Sequence, residues 1–245
     1  MDDKEIIKTA LEFAKKNKKR IAKELTNPSI YIPSSRPVSI FMAGSPGAGK
    51  TEFSKNLIAI LEKHFQENAG HGLSRAIRID GDDIRSLIPN YAGGNSHLFQ
   101  SAVSIIVEKM HDYVLQREQN FILDGTFSKY DKARENITRS LEKRRRVFIY
   151  YLYQKAEIAW RFTQAREKAE GRNILKPAFI DQFLGAYDTI NRIRKDFGKE
   201  VVIFLIKKDF EKNTVESLIE LEPKESIDEG VFHKYNKNDL EKLLL

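Results

Sequence analysis

The segment Gly44-Ser45-Pro46-Gly47-Ala48-Gly49-Lys50-Thr51 fits the pattern G-x-x-x-x-G-K-[ST]. It lies between an apolar run, Val38–Ala43, and a segment with helical spacing that begins at Glu52. In this strand–loop–helix setting, glycines let the backbone curl so that successive N–H groups face a phosphate. Lys50 then reaches the β- and γ-phosphates, and the Thr51 hydroxyl is placed to bind Mg²⁺. The motif predicts that residues 44–51 bind ATP or GTP together with Mg²⁺.

The rest of the chain alternates between apolar runs and helical patterns. Segments with helical spacing cover roughly residues 50–67, 96–117 and 130–145, and two more lie within 155–197. Between them are runs typical of buried strands: Val38–Ala43, Ala76–Asp80, Phe121–Asp124, Val147–Tyr153 and Val201–Ile206. Alternation of this kind predicts an α/β protein in three layers, with a mostly parallel five-stranded sheet and helices on both faces.

We interpret the chain as one domain with additions at both ends. Residues 1–37 form an N-terminal amphipathic helix, Asp3–Leu25, and a Pro-containing linker, and residues 38–206 form the core. Residues 207–245 are a polar C-terminal extension with a short helix predicted at Asn238–Leu245.

Composition excludes several classes of protein. The chain has 245 residues, no Cys, and a formal net charge of +7. A disulfide scaffold, a Cys-ligated metal site and a thiol nucleophile are therefore excluded. The acidic N-terminus and the lack of a long apolar stretch predict a cytoplasmic protein with no membrane partner. The modest positive charge fits an anionic ligand as well as nucleic acid.

An acidic pair follows the second predicted strand. Asp80 and Asp82 come at the end of that strand, on the sheet edge where the phosphate loop lies and where ligands of open α/β sheets bind. Phosphoryl transfer to a hydroxyl group needs a carboxylate to orient the acceptor and take its proton, and Asp82 is the candidate. Asp80 arranges the loop or a magnesium-bound water. The alternative is that Asp82 or Asp83 only caps the next helix.

A second acid and a group of arginines complete the candidate site. Phe121–Asp124 is an apolar run that ends in an acid, as in a Walker B strand, whose carboxylate holds Mg²⁺ directly or through water. Arg161, Arg166 and Arg172 follow in a helix-to-loop stretch. Kinases that act without a partner supply arginines from a lid to neutralise the transferred phosphoryl group, although most helical arginines are solvated or paired.

Together these motifs resemble the zeta-toxin family of P-loop kinases. The resemblance covers roughly Val38 to Ile206 and rests on Gly44–Thr51, on Ile79-Asp80-Gly81-Asp82-Asp83-Ile84-Arg85 with Pro89-Asn90-Tyr91, and on Phe121–Thr126. It implies a P-loop kinase-like fold and transfer of phosphate from ATP. The family's known acceptor is the 3′-hydroxyl of the aminosugar in UDP-N-acetylglucosamine, and its known partner is a small helical antitoxin.

The resemblance also implies roles for residues at matching positions. Lys50 matches the P-loop lysine, Thr51 the magnesium ligand and Asp82 the catalytic base. Asp124 falls on the family's Glu before Gly-Thr, which positions substrate or metal. Glu108 precedes it at the spacing of another substrate-contacting Glu.

Other positions complete the implied site. Arg166 and Arg172 fall on the two lid arginines that clamp the phosphates. Asp80, Arg85 and Thr126 belong to motifs of the substrate side, and we expect them to contact the acceptor.

Two departures from the family pattern leave the acceptor open. Ile88 stands where the family has a His before Pro, and Asp124 is shorter than the family's Glu. A nucleoside or polynucleotide kinase is an alternative, suggested by Lys143-Arg144-Arg145-Arg146, although this run is typical of a solvated helix C-terminus. A non-catalytic nucleotide switch is another, but it would have no use for Asp82 or for lid arginines.

Overall fold

The structure is a computed structural model that describes residues 2–67, 75–171, 173–209, 214–222, 225, 227–229 and 233–244. Its strands form one sheet in the order β2-β3-β1-β4-β5-β6, in which β1 to β5 are parallel and β6 is antiparallel to β5. Their bounds are β1 Val38–Ala43, β2 Ala76–Asp80, β3 Asn120–Asp124, β4 Arg146–Tyr153, β5 Val201–Asp209 and β6 Thr214–Glu220.

Helices connect the five parallel strands β1 to β5. The α-helices are α1 Asp3–Leu25, α2 Lys50–Glu67, α3 Gly81–Arg85, α4 Gln100–Gln116, α5 Tyr130–Glu142, α6 Ala156–Glu170, α7 Lys176–Phe197 and α8 Lys237–Leu243. Short 3₁₀ helices cover Ser96–Phe99, Gly198–Glu200 and Ile227–Glu229. Within the described ranges, none of the helices combines the length and the apolar character that crossing a membrane requires.

The sheet lies between two layers of helices. Side chains of successive strand residues point to opposite faces, so Phe41 and Phe121 join one core with residues of α1, α4, α5 and α7. Ile40 and Ile122 join a second core, on the other face, with residues of α2. The predicted three-layer α/β fold is confirmed.

The prediction of five strands missed β6. This strand lies at the edge of the sheet, where Val215, Leu218 and Ile219 are exposed. Edge strands face solvent and therefore lack the continuous apolar run that marks the buried parallel strands. The extension after Ile206 also contributes to the cores through Leu221 and Leu240, so it is packed rather than merely polar.

The N-terminal helix packs against the core of the α/β fold. Asp2 caps α1 by accepting a hydrogen bond from the Glu5 amide at 2.8 Å. Ala10 and Ala14 are fully buried, and such small side chains let α1 lie close to α4. The linker after α1 is held by the Gln119 side chain, which donates to the carbonyl oxygens of Thr26 at 3.0 Å and Tyr31 at 2.7 Å.

Arg145 is buried, whereas the sequence predicted that the whole run Lys143–Arg146 is a solvated helix end. Its side chain is buried and donates to Ser39 Oγ at 2.7 Å, to the Val38 carbonyl at 2.7 Å and to the Gln119 carbonyl at 2.6 Å. Burial lowers its pKa to about 10. Arg145 therefore joins β1, β4 and the start of β3 at the amino ends of the strands, and only the other three residues of the run are exposed.

We predict that Arg145→Met lowers the free energy of unfolding by about 2–4 kcal/mol, because the buried Ser39 hydroxyl and Gln119 carbonyl groups lose their donor. Urea unfolding measures this change. The matched control is Lys143→Ala in the same run, an exposed position where we expect a change within about 0.5 kcal/mol. Equal effects of the two substitutions would contradict a structural role for Arg145.

Candidate active site

The phosphate-binding loop joins the end of β1 to the start of α2. Gly44 has φ 137° and Gly47 has φ 74°, values that L side chains rarely adopt. A Cβ on Gly44 would lie 2.4 Å from the Leu152 carbonyl oxygen, and one on Gly47 would lie 2.1 Å from the Ala159 carbonyl oxygen. The loop therefore needs glycine because it closes tightly against the end of β4 and against α6.

Polar groups of the loop are arranged for an anion. The Lys50 ammonium group donates to the carbonyl oxygens of Gly44 at 2.9 Å and Ser45 at 2.7 Å, which draws it across the loop. The buried Ser45 Oγ has no hydrogen-bond partner among the described residues. The Gly44 amide donates to the Thr126 carbonyl at 3.1 Å, which ties the loop to the segment after β3.

A buried acidic centre lies at the carboxyl ends of β2 and β3. Asp80 and Asp124 are opposite each other in the parallel register of these strands, and both are largely buried. Arg78 shares the face of Asp80 because the two residues are two apart in a strand. Its guanidinium contacts Asp80, binds Asp124 Oδ2 at 2.8 Å through Nη2, and binds Asp83 Oδ2 at 2.6 Å.

Ser54 links this centre to the phosphate-binding loop. Its hydroxyl donates to Asp124 Oδ2 at 2.8 Å and also lies 3.0 Å from the Thr51 carbonyl oxygen. It accepts from Arg78 Nε at 3.0 Å. The first turn of α2, which carries the candidate magnesium ligand Thr51, is therefore joined through one side chain to the Walker B acid.

The surroundings of the acidic centre shift the pKa values of Asp80 and Arg78. Burial raises the pKa of Asp80 to about 6, and the nearby charge of Asp82 adds to this effect, while the hydrogen bond from the Asp82 amide and the charge of Arg78 oppose it only in part. Burial alone would lower the pKa of Arg78, but Asp80, Asp124 and Asp83 together raise it. Arg78 therefore stays charged, and the carboxyl group of Asp80 is easier to protonate than an exposed one.

Asp80 caps α3, whereas the sequence suggested Asp82 or Asp83 for that role. Asp80 Oδ1 accepts the Asp82 amide at 2.8 Å, so Asp80 is the N-cap, whereas Asp82 and Asp83 lie in the first turn of the helix. The Asp82 carboxylate is paired through Oδ1 with Arg85 at 2.6 Å and is 29% exposed. Arg85 is buried, and its Nη2 also donates to Gln100 at 3.3 Å. Capping by Asp80 fixes the backbone at Asp82, and Arg85 fixes its side chain.

Glu108 lies in an ion-pair network between α4 and α5. Oε2 of Glu108 binds Lys132 at 2.6 Å and Oε1 contacts Arg139, which also binds Asp112 at 2.7 Å. Burial would raise the pKa of Glu108, but Lys132 and Arg139 lower it. These contacts of Glu108 are with α5 rather than with the acidic centre.

Thr126 and Arg166 lie on segments that contact the phosphate-binding loop. Thr126 is half-buried and its hydroxyl forms a hydrogen bond of 3.0 Å with Ser128 Oγ. Arg166 is half-buried on α6, on the same face as Ala159 because seven residues make about two helical turns. The Ala159 carbonyl is the group that the loop approaches at Gly47. Arg172 lies outside the described residues.

Arg78 and Ser54 were missed by sequence reasoning. The signal for Arg78 was present, because a lone charged residue in a buried strand, two positions before Asp80, must share its face. Ser54 had no comparable signal, since a serine one turn into a helix is common.

The chain matches a known protein family. The family model for zeta toxin matches residues 21–219. The chain belongs to the zeta toxin family. Members of this family are P-loop kinase-like phosphotransferases. The resemblance stated from the motifs is thereby confirmed, and the match extends beyond it to include part of α1 and β6. Among curated proteins, none matches the chain.

Solved structures similar to this zeta toxin family member share its fold. A chain from the PezAT chromosomal toxin-antitoxin system of Streptococcus pneumoniae is 21% identical with a TM-score of 0.64, and the match covers 95% of this chain and 91% of that one. A chain of the AvrRxo1-ORF1:AvrRxo1-ORF2 complex is 15% identical with a TM-score of 0.57, covering 99% and 73%. The same complex with ATP is 15% identical with a TM-score of 0.55, covering 89% and 65%.

His111 beside the Glu108 network gives a prediction about stability. Its ring is buried between Phe41 and Phe121, and burial, together with the charge of Arg139, lowers its pKa to about 3. His111 therefore binds fewer protons in the folded protein than in the unfolded chain between about pH 3 and 6.5, and its contribution to stability falls as the pH drops through that window. At pH 5 this loss reaches about 2 kcal/mol.

We expect His111→Phe to remove that loss, since the ring is kept and the titrating group is not. Urea unfolding at pH 7 and pH 5 measures it: the decrease in unfolding free energy between the two values should be smaller by about 2 kcal/mol in the variant. His97→Gln, at an exposed position, is the control and should retain the wild-type decrease. An unchanged decrease in His111→Phe would show that another group is responsible.

Proposed function

We propose that the protein is a kinase that transfers the γ-phosphoryl group of ATP, with Mg²⁺, to a hydroxyl group of a small molecule. The observation that carries the proposal is the direct link between the phosphate-binding loop and the acidic centre. Ser54 joins Thr51 to Asp124, and the Gly44 amide binds the Thr126 carbonyl, so phosphate and acid groups lie at one edge of the sheet. Phosphoryl transfer requires that juxtaposition.

The donor side of the site consists of backbone amides and cations. Backbone amides of the phosphate-binding loop and the N-terminus of α2 hold the phosphates, and Lys50 leaves the loop carbonyls to bind the β- and γ-phosphates. Arg166 and Arg172 neutralise the charge that spreads over the phosphoryl oxygens during transfer. The AvrRxo1 complex with ATP, which has the same fold, supports ATP rather than GTP as the donor.

Thr51 and Asp124 fit a magnesium ion, because hydroxyl and carboxylate oxygens are the ligands it prefers. The hydrogen bonds that the described residues donate to Asp124 fall on Oδ2, so Oδ1 is the atom placed for a magnesium-bound water. When bound, the ion neutralises charge on the β- and γ-phosphates.

Asp82 is the proposed base. Its partial exposure gives an acceptor access to the carboxylate, and Arg85 holds it in one orientation. The acceptor hydroxyl oxygen forms a bond to the γ-phosphorus while the bond from that phosphorus to the β–γ bridging oxygen breaks. The hydroxyl proton passes to Asp82, and ADP leaves with the bridging oxygen.

For the acceptor we propose a nucleotide sugar, with the 3′-hydroxyl of UDP-N-acetylglucosamine as the first choice because of family membership. Asp80, Arg85, Asp124 and Thr126 lie around the base and the loop and are proposed to line this side. Glu108 forms ion pairs with Lys132 and Arg139, so it would contact the sugar only by giving up one of them.

Phosphate transfer from radiolabelled ATP tests the proposal. The panel contains UDP-N-acetylglucosamine, other nucleotide sugars, nucleosides and a 5′-hydroxyl oligonucleotide. We expect label on a nucleotide sugar. Label on the oligonucleotide alone would favour a polynucleotide kinase, and ATP binding without label on any acceptor would favour a nucleotide switch.

Asp82→Asn separates the base from other roles. It should lower kcat by a factor of about 10²–10⁴ with ATP affinity nearly unchanged, because only the proton acceptor is lost. Asp181→Asn, an exposed aspartate on α7, is the matched control and should retain wild-type turnover. Near-normal kcat in Asp82→Asn would remove Asp82 from the role of base.

We also propose a small helical antitoxin as partner. Family membership supports it, as does the shared fold with a chain from the PezAT toxin-antitoxin system. Expression of the active chain in bacteria should stop growth, and Asp82→Asn should not. Co-expression of an antitoxin encoded beside the chain should restore growth and yield a co-purified complex. Normal growth with the catalytically active chain would argue against a toxin.

A further inference from the structure

Arg78 lies at the centre of four polar contacts, in a strand that is otherwise apolar up to its last residue, Asp80. Its side chain is only 9% exposed. The guanidinium binds Asp124 Oδ2 through both Nε at 3.2 Å and Nη2 at 2.8 Å, and reaches Asp80 and Asp83 with its other hydrogens. Ser54 accepts a further bond from Nε. A single side chain thus holds the ends of β2 and β3, the start of α3 and the first turns of α2.

The register of the sheet makes this cation necessary. Asp80 and Asp124 are aligned on neighbouring parallel strands, which lie about 4.8 Å apart. Two buried carboxylates at that spacing repel each other, and a buried charge without a partner is strongly destabilising. Arg78 is the cation that reaches both. A planar fork of donors can bind several acceptors in fixed directions, whereas a lysine ammonium provides one point of charge.

Asp80 and Asp124, the two buried acids that Arg78 contacts, are each connected to a proposed catalytic group. Asp80 caps the helix that carries Asp82, through the 2.8 Å bond to the Asp82 amide. Asp124 is joined through Ser54 to the helix turn of Thr51. With Oδ2 of Asp124 occupied by Arg78 and Ser54, the carboxylate is turned so that Oδ1 faces away from these donors.

We propose that Arg78 is a positioning residue of the phosphotransferase: its guanidinium orients Asp124 toward the magnesium-bearing phosphates and, through Asp80, sets the place of Asp82. The inference rests on the proposed function, because the roles of Asp82 and Asp124 belong to it. Arg78 contacts neither donor nor acceptor in this account and acts only through the two buried acids.

Arg78→Lys is the decisive variant, because it keeps the charge and removes the fork. The first readout needs no acceptor: ATP affinity is measured by calorimetry in EDTA and again with Mg²⁺. We expect affinity in EDTA to stay near the wild-type value and the gain in affinity on adding Mg²⁺ to fall by a factor of about three to ten. The second readout is turnover at saturating ATP and Mg²⁺, where kcat should fall at least about tenfold, while KM for ATP rises by no more than the loss in magnesium gain.

Arg145→Lys is the matched control, since it weakens another buried arginine at the opposite ends of the strands. It should lower the thermal midpoint while leaving both the magnesium gain and kcat at wild-type levels. If Arg78→Lys does not fold, the double variant Arg78→Gln/Asp80→Asn removes one positive and one negative charge together. It keeps an acceptor for the α3 cap and should show the same two losses.

Wild-type magnesium gain and kcat in Arg78→Lys would overturn the positioning role. Equal losses in Arg145→Lys would also overturn it, because a general loss of stability would then explain them. Absence of phosphate transfer by the wild-type protein to any acceptor would count against the proposed function, while the magnesium gain would still decide the role of Arg78 toward Asp124.

Discussion

Two acidic side chains buried next to each other constrain the rest of this structure. Parallel register places Asp80 and Asp124 side by side at the ends of β2 and β3, and both residues are largely shielded from bulk water. Arg78, on the same face, makes the arrangement stable by sharing its donors between them. The sheet edge can therefore carry concentrated negative charge next to a loop that binds phosphates, which would otherwise be disfavoured.

Close backbone contacts constrain the phosphate-binding loop. Gly44 and Gly47 lie against the carbonyl groups of Leu152 and Ala159, so the loop is in contact with β4 and α6 at once. Because α6 also carries Arg166, the contact at Gly47 relates the position of that arginine to the position of the loop. The proposed phosphate-binding loop and the proposed lid arginine are thus carried by two elements that are in direct backbone contact.

Much of the fold could be predicted from the sequence, because strands buried on both faces are long apolar runs. The bounds of β1 and β2 and of α1 agree with the prediction, and β3 and β4 begin one residue earlier. The edge strand β6 was not predictable in this way, since its outward residues are a mixture of polar and apolar types. The burial of Arg145 was hidden for a different reason: a basic run after a helix is usually solvated, and only tertiary structure shows which member turns inward.

The candidate site was predictable where a motif fixes the chemistry and less so where partners decide it. Lys50 and Thr51 follow from the loop pattern, and Asp82 follows from its place after a strand. The partners of Glu108, two basic residues on α5, depend on how α4 and α5 pack and leave no trace in the local sequence. Likewise, the cap of α3 is Asp80 rather than Asp82, because a strand-end residue retains extended backbone geometry while Asp82 is already helical. This difference bears on the proposed chemistry: Asp80 is committed to a backbone amide and is buried, whereas the Asp82 side chain is 29% exposed, which is why Asp82 rather than Asp80 is the proposed base.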